Sequence, residues 1–162
     1  MAVTTPHRST AANTQRTRRL LIPVKDARSA ASSVMYAIRL RAEARSVAVC
    51  LLHVEESPAQ WQELLGGTRI HGARRLRNKA VFGPVLQLLD GLDIEFAAYV
   101  RTGPVVFSIL DAAEELECDE IVVPAPGSAL SHLLSRHVVT ILTARQRSAR
   151  LVAVTKSGIA VP

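Results

Sequence analysis

An α/β protein built on an open parallel sheet is what this chain of 162 residues predicts, and three observations carry that expectation. Short apolar runs rich in β-branched residues recur at 20–24, 47–54, 94–100, 121–123 and 151–154. Between them lie segments whose apolar residues return at helical spacing, the alternation expected of strands joined by crossover helices. The separations are long enough for a helix, so the joined strands run parallel and the crossovers are right-handed.

Residues 1–18 are rich in Thr, Ser, Ala and Arg and almost lack large apolar side chains. Burial there cannot offset the entropy of ordering, so a mobile basic tail is expected, followed by a domain over 19–156 and a C-terminal tail over 157–162. The first strand, 20–24, tolerates Pro23 only near its end, because proline removes a ladder donor. Lys25, Asp26 and Arg28 fall in the next loop. Over 29–45, Ala30, Val34, Ala37, Ile38 and Ala42 form one helical face and leave Arg39, Glu43 and Arg45 to solvent. The run VAVCLLHV, closed by Glu55 and Glu56, has the apolar character of a central strand covered on both faces.

Pro58, Trp61 and the pair Gly66-Gly67 mark 57–67 as a loop or short helix. Helical spacing resumes over 68–89 through Ile70, Ala73, Leu76, Ala80, Leu86 and Leu89, with Gly83-Pro84 expected to kink or divide the helix. Ile94, Phe96, Ala98 and Val100 then alternate with Glu95, Ala97, Tyr99 and Arg101, the pattern of a strand with unequal faces near a sheet edge. Thr102-Gly103-Pro104 starts another helix, with Val106, Ile109, Leu110, Ala113 and Leu116 on its stripe and Cys118 and Asp119 at its end. Ile121 to Val123 form the next strand, stopped by Pro124, Pro126 and Gly127. A helix with Leu130, Leu134, Val138, Ile141 and Leu142 on one side follows, capped by Ser128 or Ser131. Leu151 to Val154 make a fifth strand.

Composition narrows the function classes. A chain of this length with 48% hydrophobic residues buries a core without staples. Cys50 and Cys118 supply neither a metal-binding spacing nor a disulfide framework, which fits a cytoplasmic setting. There is no run of eighteen apolar residues and no signal-type N-terminus, so no membrane association is expected. Of the net charge of +6, four units come from Arg8, Arg16, Arg18 and Arg19 within residues 1–19, which hold no acid, so the remainder is nearly balanced. Arg69, Arg74, Arg75, Arg77 and Lys79 read as a solvated helix face, since a nucleic-acid platform would interleave aromatics. His53, alone in an apolar strand, reads as a hydrogen-bonded core histidine, and no metal site is expected.

The segments LLIPVKDARSA, VAVCLLHVEES, RTGPVVFSILDAAEELECDEIVVPA and SALSHLLSRHVV together resemble the universal stress protein family, in order and spacing, over residues 19 to 155. The resemblance implies a Rossmann-like open five-stranded parallel sheet, ordered 3-2-1-4-5, with helices on both faces. It places ligand space at the carboxyl ends of strands 1 and 4 and commonly a homodimer formed through the last strand, here Leu151, Val152, Ala153 and Val154. ATP-binding members carry a glycine, two residues, a second glycine, nine residues, then glycine followed by Ser or Thr. Aligned on LSHLL, the first glycine falls at Val123 or Pro124, the second at Pro126 and the last pair at Arg136-His137. Proline offers no backbone N–H to phosphate, and a residue with a Cβ prevents the close approach that glycine permits. The acid that follows PV in such members is Lys25 here, with Asp26 one place later.

The function expected is therefore a non-catalytic, homodimeric stress-response or regulatory module, in contact with a further protein partner, that uses no cofactor and does not bind ATP in the usual way. One alternative is a nucleotide sensor holding ATP or another adenine nucleotide, or another anion, through an altered loop. Its contacts would come from Pro23, Val24, Lys25, Val54, Pro124, Gly127, Ser128, Arg136, His137 and Val138, with Lys25, Arg136 and His137 supplying side-chain charge. A small nucleotide hydrolase or transferase is a further alternative. Ser128, Ser131, His132 and His137 lie near one another in sequence, but no orienting acid completes a catalytic set.

Overall fold

A computed structural model describes residues 16–55, 67–125, 136–145 and 148–162. Leu20, Leu21 and Ile22 are fully buried, so the strand that contains them is covered on both faces and lies inside the sheet. That strand is β1 (Arg18–Pro23), followed in chain order by α1 (Ala27–Ala42), β2 (Val47–Glu55), α2 (Gly67–Leu89), β3 (Glu95–Thr102), α3 (Val105–Glu115), β4 (Glu120–Pro124), α4 (Arg136–Ala144), β5 (Arg150–Val154) and β6 (Ala160–Val161). The sheet order is β3-β2-β1-β4-β5-β6, with β1 to β5 parallel and β6 antiparallel on β5. The expected 3-2-1-4-5 order holds, and one strand is added to it.

Alternation along the strands divides the core into two layers. Leu20, Ile22, Val49, Leu51, Val122, Val152 and Val154 pack with Val34, Ala37, Val85 and Leu89 of α1 and α2. Leu21, Cys50, Leu52, Ile121 and Val123 pack on the other face with Ile109, Leu110 and Ala113 of α3 and with Leu142 of α4. Each strand side chain therefore belongs to one helical layer, as period-2 geometry requires.

Several local expectations change. Helix α2 runs unbroken through Pro84, which is exposed, while Phe82, Val85 and Leu89 beside it are buried. The proline faces water, where the carbonyl that loses its donor can be hydrated, and the buried anchors on either side hold the helix. Ala42, expected on the inner face of α1, is exposed; Ser29, Ser32, Ser33, Tyr36 and Leu40 are buried instead. β3 lies at the sheet edge as expected, but its faces are not unequal in burial: Phe96, Ala98 and Val100 are exposed, as are Ala97 and Tyr99. An alternating pattern states which residues share a face, not whether a helix reaches out far enough to cover it. The predicted loop or short helix at 57–67 lies outside the described residues except for Gly67, which opens α2.

Candidate functional site

Where β1 meets β4, the sheet is closed at one end and open at the other. At the amino end, Asp119 stitches the two strands: its backbone N–H donates to the Arg19 carbonyl (2.8 Å), its carboxylate accepts from the Arg19 N–H (2.9 Å), and Arg19 Nη1 donates to the Leu116 carbonyl (2.8 Å). Ladder pairing between β1 and β4 is then limited to Leu20 with Glu120 and Leu21 with Ile121. β1 continues beside β2 to the pair Pro23–Leu52, and β4 continues beside β5 to the pair Pro124–Val154. The carboxyl ends of β1 and β4 thus part company after two register pairs, at the point where strand order reverses. That is the position at which open α/β sheets hold ligands.

Pro23 and Val24 on one side and Pro124 on the other are buried at this fork, and Lys25 is exposed at the head of the loop. Among the described residues, backbone donors are scarce here. Pro23 and Pro124 have none, Val24 gives its N–H to the Leu52 carbonyl (2.7 Å), and Ala125 gives its N–H to the Val154 carbonyl (2.8 Å). The N-terminus of α1 is also occupied. Asp26 is its N-cap, accepting the Ser29 N–H at 2.8 Å, while Ser29 Oγ accepts the N–H groups of Asp26 (3.1 Å) and Lys25 (3.2 Å). Asp26 is held in this reciprocal cap rather than projecting freely into the fork. Its negative charge complements the positive end of the helix and opposes a second anion there.

His53 confirms the core reading: it is buried on β2, its Nδ1 donates to the Val24 carbonyl at 2.7 Å, and its ring meets Phe82 edge-on. Val54 is half-buried at the end of β2, beside the buried carboxylate-bearing residue Glu55, whose carbonyl accepts the Gly103 N–H at 3.1 Å. Glu55 is a residue the sequence reading passed over as a strand boundary; an acid closing an apolar central strand was the available signal. Arg136, His137 and Val138 open α4, where only their place on the helix is described. Gly127, Ser128, Ser131 and His132 lie outside the described residues. Leu151, Val152, Ala153 and Val154 form β5 as expected, but β6 pairs on its outer side at Ala153 and Val154.

A second concavity, a cleft of about 420 Å³, lies at the opposite end of the sheet and is lined by Arg16, Thr17, Arg18, Asp119, Glu120 and Arg150. Its charges are mutually satisfied: Arg16 pairs with Asp119 (2.9 Å), and buried Glu120 accepts from Arg150 (2.9 Å), Arg18 (3.4 Å) and the Tyr36 hydroxyl (3.0 Å). Burial first, and the Glu120 charge second, push the Tyr36 hydroxyl above its ordinary value of 10.0. Among the described residues no group of three or more His, Cys, Asp or Glu side chains could hold a metal, and no helix is long and apolar enough to cross a membrane.

The family model for the universal stress protein family matches residues 16–142. Among solved structures, the hypothetical protein PH0823 superposes with a TM-score of 0.61 at 18% identity, covering 85% of this chain and 95% of that one. A universal stress protein family protein from Arabidopsis thaliana with AMP bound gives 0.55 at 13% identity, covering 85% and 91%. The universal stress protein from Archaeoglobus fulgidus in complex with dAMP gives 0.54 at 13% identity, covering 85% and 97%. At these identities the likeness is one of fold. No curated protein matches the chain.

Proposed function

This chain belongs to the universal stress protein family, and from that premise we infer that it works as a non-catalytic, homodimeric stress-response or regulatory module, in the cytoplasm, that does not bind ATP in the usual way. The observation that carries the reading is the shortage of backbone donors among the described residues of the fork. Pro124 has no N–H, and the next one, on Ala125, is committed to Val154. A phosphate held by a strand–turn–helix junction needs several unpaired N–H groups converging on it, and the first two positions after β4's apolar run offer none. Asp26, already capping α1, adds a negative charge beside the same opening.

Isothermal calorimetry of the full chain with ATP, ADP, AMP and cyclic nucleotides tests this. No saturable heat at micromolar ligand is the expected outcome; stoichiometric micromolar binding would reverse the reading. A second reading, an adenine-nucleotide sensor, is favoured by the fork itself and by the AMP and dAMP carried by two proteins of the same fold. It would use Lys25, Arg136 and His137 in place of backbone donors, and binding lost in Lys25→Ala and Arg136→Ala would establish it.

The homodimer needs a contact surface. On the β5 side, among the described residues, β6 leaves the outer edge open beside Arg150, Leu151 and Val152, so a pairing through Leu151 to Val154 either uses Leu151 and Val152 or displaces β6.

A further inference from the structure

We propose that the free edge of β3 is a self-docking surface, on which a second copy of this chain lays its own β3 antiparallel and joins the two sheets into one. The two ends of the sheet are built differently. One ends in β6, two residues long and followed by Pro162, and a turn at Gly158 seats the hairpin against the backbone of Met35 and Tyr36. Short length and proline are the features that keep an edge from pairing.

The other end is β3, eight residues long and paired, among the described residues, with β2 alone. From Glu95 to Val100 every side chain is exposed, including Phe96 (41%), Tyr99 (37%) and Val100 (38%). The strand EFAAYVRT holds no lysine and no proline, and its two charges stand near its ends, leaving Phe96 to Val100 between them without either guard.

What selects a second copy as the occupant is charge. Glu95 stands at one end of the apolar run and Arg101 at the other, so the strand is complementary to its own reverse. A two-fold axis normal to the sheet through Ala98 sets Glu95 of each copy opposite Arg101 of the other, Phe96 opposite Val100, and Ala97 opposite Tyr99. Residues directly opposite on antiparallel strands share a face and touch. The register with β2 agrees with this: Phe96 and Val100 lie with Val49 and His53 on the α1–α2 side, and Glu95, Tyr99 and Arg101 with Ala48, Leu52 and Val54 on the other. Sliding the pairing by two residues sets Glu95 against Tyr99, or Arg101 against Ala97, and loses both ion pairs. Arg101 also pairs with Glu115 of α3; its planar fork of five donors can serve two carboxylates. An isologous contact of this kind closes on itself as a dimer.

The inference takes from the proposed function only the identity of the partner. Light scattering on the full chain at micromolar concentration should give a dimer. Glu95→Arg alone and Arg101→Glu alone should each give monomers, because like charges then face each other. Mixing those two variants should restore a dimer, seen by native mass spectrometry as the heterodimer alone, a rescue that a folding defect cannot produce. A wild-type monomer would overturn both this surface and the homodimeric reading. A dimer that survives Glu95→Arg and Ala98→Lys but is lost in Leu151→Lys would overturn this surface and leave the homodimeric reading standing on β5.

Discussion

Tyr36 illustrates how one side chain joins distant parts of the chain. It lies on α1, is buried, and donates its hydroxyl to Glu120 at 3.0 Å, so helix and sheet meet through a hydrogen bond to a charged acceptor. Removing that donor in Tyr36→Phe should cost about 1–3 kcal/mol near neutral pH, read from urea unfolding. The same bond carries a pH signature. Burial and the Glu120 charge raise the hydroxyl above 10.0, against the opposing pull of Arg18 and Arg150. The folded state therefore holds this proton more tightly than the unfolded chain. Its contribution is complete below pH 10.0, the unfolded value, and is lost as pH rises through the raised folded one. Wild-type stability should fall more steeply above that pH than the stability of Tyr36→Phe. Nothing local marks Tyr36 for this role, since its partner lies 84 positions away. His53 was easier to place, because a lone histidine inside VAVCLLHV must find a partner within the strand's own neighbourhood.

At the level of elements, the β5–β6 hairpin is the part the sequence concealed. Two residues form β6, too few for any periodic signal, and the hairpin exists because Gly158 adopts φ +72° and lets the chain lie against α1. A Cβ at Gly158 would stand 2.5 Å from the Tyr36 nitrogen and 2.6 Å from the Met35 carbonyl carbon. Both the left-handed conformation and the contact with backbone oppose a side chain there. Gly158→Ala should destabilise by more than about 2 kcal/mol in urea titration, and amide exchange should quicken at Val161, whose residue pairs with Ala153. By contrast, α1 was visible in outline, and its cap is explained by Asp26 and Ser29 three residues apart.

Across the whole molecule, two apolar layers share one sheet, so neither persists once the sheet is lost. The cysteines report on this. Cys50 and Cys118 are both buried in the α3–α4 layer and both free. The neighbouring Cys50 thiol first, and burial second, push Cys118 above its ordinary value, while the Cys118 thiol lowers Cys50. An aromatic disulfide reagent should label neither thiol in the native protein and both after unfolding, with the labelling midpoint in urea matching that from circular dichroism. Labelling of both thiols ahead of the circular dichroism change would show the α3–α4 layer opening before the other. The sequence by itself determined the identity of the five parallel strands and their order along the chain, the helices between them and the proline-bearing end of β4. Each of these follows from which side chains avoid water and which backbone groups are missing, and both are local properties. Only the tertiary structure decided that β1 and β4 separate after two pairs, that Asp26 is spent on a cap, that β6 covers part of β5, and that β3 pairs, among the described residues, with β2 alone. These depend on which surfaces arrive beside one another, and pairings over tens of residues leave no period in the chain to read.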